Sequence, residues 1–307
     1  MTIKEILIIV AGIIVVLIAG GVIHSIMKKN SRPLSKTIIY IVCGFLTLLS
    51  IFPFYLMFIN STRSTYEIMQ SVSLLPSTYF KDNMDVLDKY KTSGFDAWVG
   101  LRNSLIISVG ATVLSTYFSS LTAYALVAYN FKARQAFFTF ILAVMMIPAQ
   151  VSSIGFYRFM YQLDLVNSYL PFIIPAIASP AIVFFMRQYL LATLSIEIVE
   201  AARIDGCNEF MIFNRIVLPI MSPAIATQAI FIFVGTWNNL FMPLILLLDN
   251  KMKTLPVMVS LLRGDIYKIQ FGAIFLALSI TVLPLFVIYF LLSRYIVAGV
   301  ALGGVKE

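Results

Sequence analysis

Seven runs of apolar residues, each about as long as a bilayer-crossing helix, dominate this chain: residues 5–27, 37–59, 104–129, 136–160, 170–190, 219–248 and 270–293. A hydrocarbon core of ~30 Å needs about 20 residues rising 1.5 Å each, so every run is a candidate span. None shows the alternation over ~10 residues that marks barrel strands. Helices are then the one way to satisfy the backbone groups in lipid. Composition agrees: 60% of the 307 residues are hydrophobic and 12% charged, where soluble domains carry about 25% charged. The predicted fold is all-α, a polytopic transmembrane helical bundle forming a single domain.

A net charge of +8 would suggest a nucleic-acid partner in a soluble protein. Here Lys and Arg sit in loops and at span ends, where they anchor to membrane lipid, and nucleic acid is not expected. Cys43 and Cys207 have no ligand spacing, so neither a disulfide nor a metal site is predicted. His24 reads as an interfacial polar residue. The run 5–27 exceeds a usual signal-peptide core, Glu5 offsets Lys4, and the positive cluster follows it. The first 30 residues therefore read as a retained transmembrane helix.

Lys28, Lys29, Arg32 and Lys36 crowd one short loop, and Lys132 and Arg134 lie in the next loop on that side. Basic loops stay cytoplasmic. This places the N-terminus outside, 60–103 and 249–269 outside, 188–218 inside and the C-terminus cytoplasmic. The remaining basic residues do not decide the matter, because Lys251, Lys253, Arg263 and Lys268 oppose the rule.

Between the fifth and sixth runs lies a polar segment, 195–219, reading SIEIVEAARIDGCNEFMIFNRIVLP. Ser195 can cap a short helix with Glu197 in its first turn. Ile196, Val199, Ala202 and Ile204 fall broadly on one face, with Glu200 and Arg203 towards the other. Gly206 suits the left-handed residue that ends the helix. Asn208 can cap a second helix through Phe210, Phe213 and Ile216 until Pro219 starts the next span. A short helix held across the membrane surface can sit in a groove of another protein, with Ala201 and Ala202 allowing close approach. Lipid is the poorer partner, because Glu197, Glu200, Asp205 and Glu209 outnumber Arg203 and Arg215 beside an anionic leaflet.

Glu200, Ala201, Ala202, Gly206, Ile216, Leu218 and Pro219 spell E-A-A, three residues, Gly, nine residues, I-x-L-P. The segment resembles the EAA loop of permease subunits of bacterial ABC importers. Residues 103–134, MMIPAQ (145–150), LDLVNSY (163–169), GTWNNLFMPL (235–244) and the tail GGVKE (303–307) resemble the carbohydrate-uptake branch, in particular its maltose-type (MalG-like) subunit. The resemblance covers 37–307. It implies a type I importer permease with six core spans, to which residues 1–30 add a seventh.

The resemblance further implies half of a translocation channel, completed by a second, MalF-like permease subunit. Two cytoplasmic ATPase subunits and an extracellular solute-binding protein would be the other partners. ATP and Mg would bind those ATPase subunits; no cofactor is expected on this chain, which has no GxxxxGK[ST] loop. No catalytic constellation is present, so the chain reads as non-enzymatic. The expected ATPase-docking residues are Glu200, Ala201, Ala202, Arg203, Asp205, Gly206, Leu218 and Pro219. Glu200 would pair with a basic residue of the ATPase, Asp205 and Arg203 would fix the helix in its groove, and the tail Gly303–Glu307 would reach the same interface.

Two other readings stand beside this one. The first is an ABC permease for another solute, such as a peptide or phosphate. The second is an ion-coupled secondary transporter, but such proteins keep ionisable residues within their spans, and the seven runs hold no Asp or Glu in their interiors. For a sugar route, polar and aromatic residues near mid-span are candidates: Gln150, Tyr157, Tyr117, Tyr124, Trp237, Asn238 and Asn239. Interhelical hydrogen bonding or an interface belt explains the same residue types. The outer stretch 60–103 is long enough to be partly folded, with Phe80, Met84, Leu87 and Tyr90 at helical spacing. In 249–269, Lys251, Lys253, Arg263 and Lys268 could contact the binding protein or anchor to lipid.

Overall fold

A computed structural model describes residues 33–262 and 269–304. The predicted helix within 1–30, the loop residues Arg263 and Lys268, and the end of the tail (305–307) lie outside the described residues. All regular structure among the described residues is helical.

The organising element is a 32-residue helix, Ala97–Ala128, about 48 Å long at 1.5 Å per residue. Asp96 caps it by accepting from the amides of Trp98 (3.0 Å) and Val99 (3.2 Å). This cap starts the helix seven residues before the apolar run at 104. Gly100, Ser104, Ser108, Ala111, Ser115, Ser119 and Ala123 recur every three or four residues and are all buried. Such a seam of small residues lets neighbouring helices approach closely. A Cβ on Gly100 would lie 3.0 Å from the Leu255 Cα and 2.9 Å from the Met258 sulfur. The hydroxyls of Thr112, Thr116 and Ser120 donate to the carbonyls four residues back at 2.6–2.8 Å, which satisfies them without water.

Around this central helix pack Pro180–Thr193, Ser222–Trp237 and the short helix Leu255–Leu261. Phe271–Gly304, the last described helix, packs on Ser222–Trp237 and on the first described helix, Pro33–Asn60. That first helix is exposed along most of its length; Phe54 meets Phe286 edge-on at 5.8 Å. Among the described residues, four helices are long and apolar enough to cross a membrane: Ile38–Asn60, Ala97–Ala128, Leu170–Thr193 and Phe271–Ser293. A bent pair, Glu209–Ile220 and Ser222–Trp237, makes a fifth if counted as one.

Two predicted spans are corrected. The run 136–160 is two helices, Arg134–Met145 and Ala149–Gln162. Pro148 lacks an amide and disfavours helix at the residue before it, so the chain breaks there. The run 219–248 does not start at Pro219: it bends by 79° at Met221 and breaks again at 238–240 before Phe241–Leu246.

The stretch 60–103 is folded, as expected. Helix Thr65–Gln70 opens with a full capping box between Ser64 and Glu67, and Phe80–Lys89 buries Leu87 and Asn83. Residues 249–262, expected to be an outer loop, are half loop and half core. Leu255, Met258 and Val259 are buried against the central and last helices. Asn167, with φ +62°, straps this region by donating its amide to the Leu246 carbonyl (2.7 Å) and accepting from the Asp249 amide (3.0 Å).

Candidate functional site

The polar segment forms an elbow of two helices, Ile196–Ile204 and Glu209–Ile220. Gly206 sits at φ +80°. The amide of Cys207 donates to the Ala202 carbonyl (3.0 Å) and that of Gly206 to the Arg203 carbonyl (3.1 Å), a paired closure that terminates the first helix. The Asn208 side chain then accepts from the Met211 amide (2.8 Å) and starts the second. Ser195 precedes the first helix without capping it; its hydroxyl donates to the Glu197 carboxylate instead. The second helix carries a π turn at Phe213–Val217, in which the Leu218 amide reaches back to the Phe213 carbonyl.

The inner face of the elbow is apolar and closed. Val199, Ala202, Ile212, Phe213 and Val217 join Met186 and Leu190 of the preceding helix, Leu194 just after it, and Ala123 and Tyr124 of the central helix in one buried cluster. A polar clamp ties this face together. Arg203 Nε donates to Glu209 Oε1 at 2.7 Å, and the Tyr124 hydroxyl donates to Glu209 Oε2 at 3.0 Å. The Arg203 guanidinium also lies 5.3 Å from the Tyr129 ring centroid. The Glu209 hydrogen bond holds Arg203 above its usual pKa.

The outer face presents apolar side chains to the surroundings. Ile204 is 86% exposed and Phe210 72%, and Ile198 is also exposed. Ala201, Glu197, Glu200, Asp205 and Gly206 are also exposed, while Pro219, exposed, and Leu218, half-buried, line a hollow at the bend with Asn214 and Ser222. Three expectations change here. Ile204 does not share the face of Val199: five residues at 100° each put it about 140° away. Ala202 packs inward, leaving Ala201 as the small residue on the surface. Arg203 turns to Glu209 and Tyr129 rather than outward.

The proposed sugar-path residues do not form one site. Tyr124 is 2% exposed and belongs to the clamp; Trp237 is 1% exposed, its indole donating to the Thr281 carbonyl at 3.1 Å. Neither can line a path, because each is enclosed by its own helices. The Tyr117 hydroxyl donates to Asn214 Oδ1 at 3.3 Å. Tyr157 lines an open hollow with Arg158, Tyr161 and Gln162. Asn238 and Asn239 stand in the break after Trp237, Asn238 exposed, and the Gln150 side chain lies outside the described residues. Lys251 and Lys253 stand on the turn before Leu255, and their backbone carbonyls accept from Asn103 Nδ2 at 2.9 Å each. The roles of Tyr129, Asn103 and Glu209 in these clamps escaped the sequence reading. Nothing local signals a bond such as Tyr124 to Glu209, 85 residues apart.

Residues 115–302, more than half of the chain, match the family described as the binding-protein-dependent transport system inner membrane component. The chain belongs to this family. It is 36% identical over 283 residues to the arabinooligosaccharides transport system permease protein AraQ of Halalkalibacterium halodurans, covering 91% of this chain and 100% of that one. It is 32% identical over 280 residues to the lactose transport system permease protein LacG of Rhizobium radiobacter, again covering 91% and 100%. The fold matches a chain in the crystal structure of a bacterial ABC transporter involved in the import of the acidic polysaccharide alginate. There the TM-score is 0.71 at 22% identity, over 87% of this chain and 99% of that one. As a family member, the chain is a non-catalytic, multi-pass subunit of the inner membrane. It acts within an ABC importer that also comprises a partner permease, an ATPase and a solute-binding protein.

Proposed function

We propose that this subunit forms half of the channel that carries a sugar or oligosaccharide into the cytoplasm, with the elbow as the dock for a separate ATPase. One observation carries the docking role. Around the exposed apolar residues Ile198, Ile204 and Phe210 runs an acidic rim of Glu197, Glu200 and Asp205, while the opposite face is clamped to the bundle. An exposed apolar face with an acidic rim fits a protein groove with basic edges better than an anionic leaflet. In this reading Glu200 pairs with a basic residue of the ATPase, and ATP and Mg bind to that partner alone.

The sugar assignment draws on the oligosaccharide and lactose permeases among the relatives; the second permease would be MalF-like. Asn238, Asn239 and Tyr157 are the residues of this chain offered to the sugar. Lys251 and Lys253 face the binding protein if the elbow and the C-terminus are cytoplasmic and the N-terminus is outside. The test is site-directed crosslinking from position 204 in the assembled transporter. We expect an adduct with the ATPase, and sugar-stimulated hydrolysis lost on Glu200→Lys. Adducts with phospholipid alone, or labelling of position 204 by an impermeant reagent from outside the cell, would overturn the reading.

A further inference from the structure

The covalent connections of the elbow are breaks in helix, not continuous helix. Its entry passes through Leu194 and Ser195, both in extended conformation. Its exit passes through the 79° bend at Met221. There Pro219 and Pro223 remove two backbone donors and the π turn loosens the helical ladder, which is how helices hinge.

Beside the buried apolar contacts of the elbow with Ala123 and Tyr124, the side-chain clamp is the directional connection. Glu209 splits its carboxylate, taking Arg203 on one oxygen and the Tyr124 hydroxyl on the other. Behind it the Tyr124 ring lies 5.8 Å from the rings of both Phe213 and Tyr129. This joins both limbs of the elbow to the C-terminal end of the central helix, Ala97–Ala128. The other end of that helix holds a second element. There Asn103 Nδ2 donates to the Lys251 and Lys253 carbonyls, and Ser104 Oγ accepts from the Leu255 amide at 2.9 Å. Residues 103 and 124 are about 30 Å apart along one unbroken helix, the thickness of a bilayer core.

We infer that Tyr124, Tyr129, Arg203 and Glu209 are positioning residues that pass motion of the elbow into the central helix. That helix delivers the motion to the 249–255 turn at its far end, with the Met221 bend serving as a hinge. This inference rests on the elbow being the ATPase dock. The turn bearing Lys251 and Lys253 thus changes its setting with the state of the ATPase.

The test uses the full transporter in proteoliposomes, with Cys43 and Cys207 replaced by alanine. A cysteine at 204 reports contact with the ATPase by crosslinking. In separate samples a cysteine at 250, an exposed position, reports the far turn by its labelling rate with and without ATP. Tyr124→Phe removes one hydroxyl and keeps the ring. We expect it to leave the 204 crosslink intact and to reduce both the ATP-dependent change in labelling at 250 and the sugar transported per ATP by about fivefold, the weight of one net hydrogen bond. Arg203→Glu should lose coupling, and adding Glu209→Arg should recover part of it.

An intact crosslink with unchanged coupling and labelling in Tyr124→Phe overturns the route alone. Loss of the crosslink in Tyr124→Phe also overturns it, because the clamp would then merely shape the dock. No crosslink in the unsubstituted transporter overturns the docking reading and the route together.

Discussion

Gly206 offers the sharpest test of the elbow, because its replacement isolates one physical effect. The residue holds φ +80°, and an added Cβ would meet nothing within 4 Å. A substitution there therefore costs backbone energy without a clash. For an L-residue the left-handed region costs roughly 1–2 kcal/mol, and each 1.4 kcal/mol is about tenfold in an equilibrium constant. Gly206→Ala should thus shift the elbow away from its closed turn by about 5- to 30-fold. If docking requires that turn, the affinity of purified ATPase for the transporter in nanodiscs should fall in proportion to the fraction left in the closed turn, by at most the same factor. Asn tolerates the left-handed region better than Ala, and a β-branched residue tolerates it worst. The expected order of affinity is Gly, Asn, Ala, Val. Wild-type binding by the Ala and Val variants, or an Asn variant no tighter than Ala, would refute the argument.

Two contrasts follow from burial on the elbow and at the far end of the central helix. Phe213→Ala, which empties a position 1% exposed, should cost about 3–5 kcal/mol of stability, seen as a lower melting temperature of the purified complex. Ile204→Ala, at 86% exposed, should leave that temperature unchanged while weakening ATPase binding. Asn103→Ala removes two hydrogen bonds to the Lys251 and Lys253 carbonyls, each worth about 0.5–1.5 kcal/mol. Hydrogen exchange across 249–254 should quicken by about 5- to 150-fold.

Local features of the elbow were legible in advance because they depend on adjacent residues. Gly206 ends one helix and Asn208 begins the next through backbone geometry that neighbouring amides complete. The orientation of its faces was only half legible. The reading grouped Ile204 with Val199 although helical spacing separates them, and it took Arg203 for an outward charge because no local rule identifies Glu209 as its partner. Tyr124 and Trp237 looked like sugar platforms because aromatic residues in spans suit that role, yet both are enclosed by helices distant in sequence. The run 136–160 read as one span by hydropathy, but Pro148 breaks it. Hydropathy averages over a window, whereas a proline acts at one bond.

The order of residues alone was enough to determine a helical membrane protein and a turn at Gly206. Each follows from solvent, spacing or a missing Cβ, and none requires a distant neighbour. The three-dimensional packing decided which side of the elbow is closed and which is open, that Glu209 joins Arg203 to Tyr124, and that residues 255–262 are core rather than loop. Burial and hydrogen bonding across 85 or 150 residues are properties of what the chain brings together, and local pattern carries no record of them.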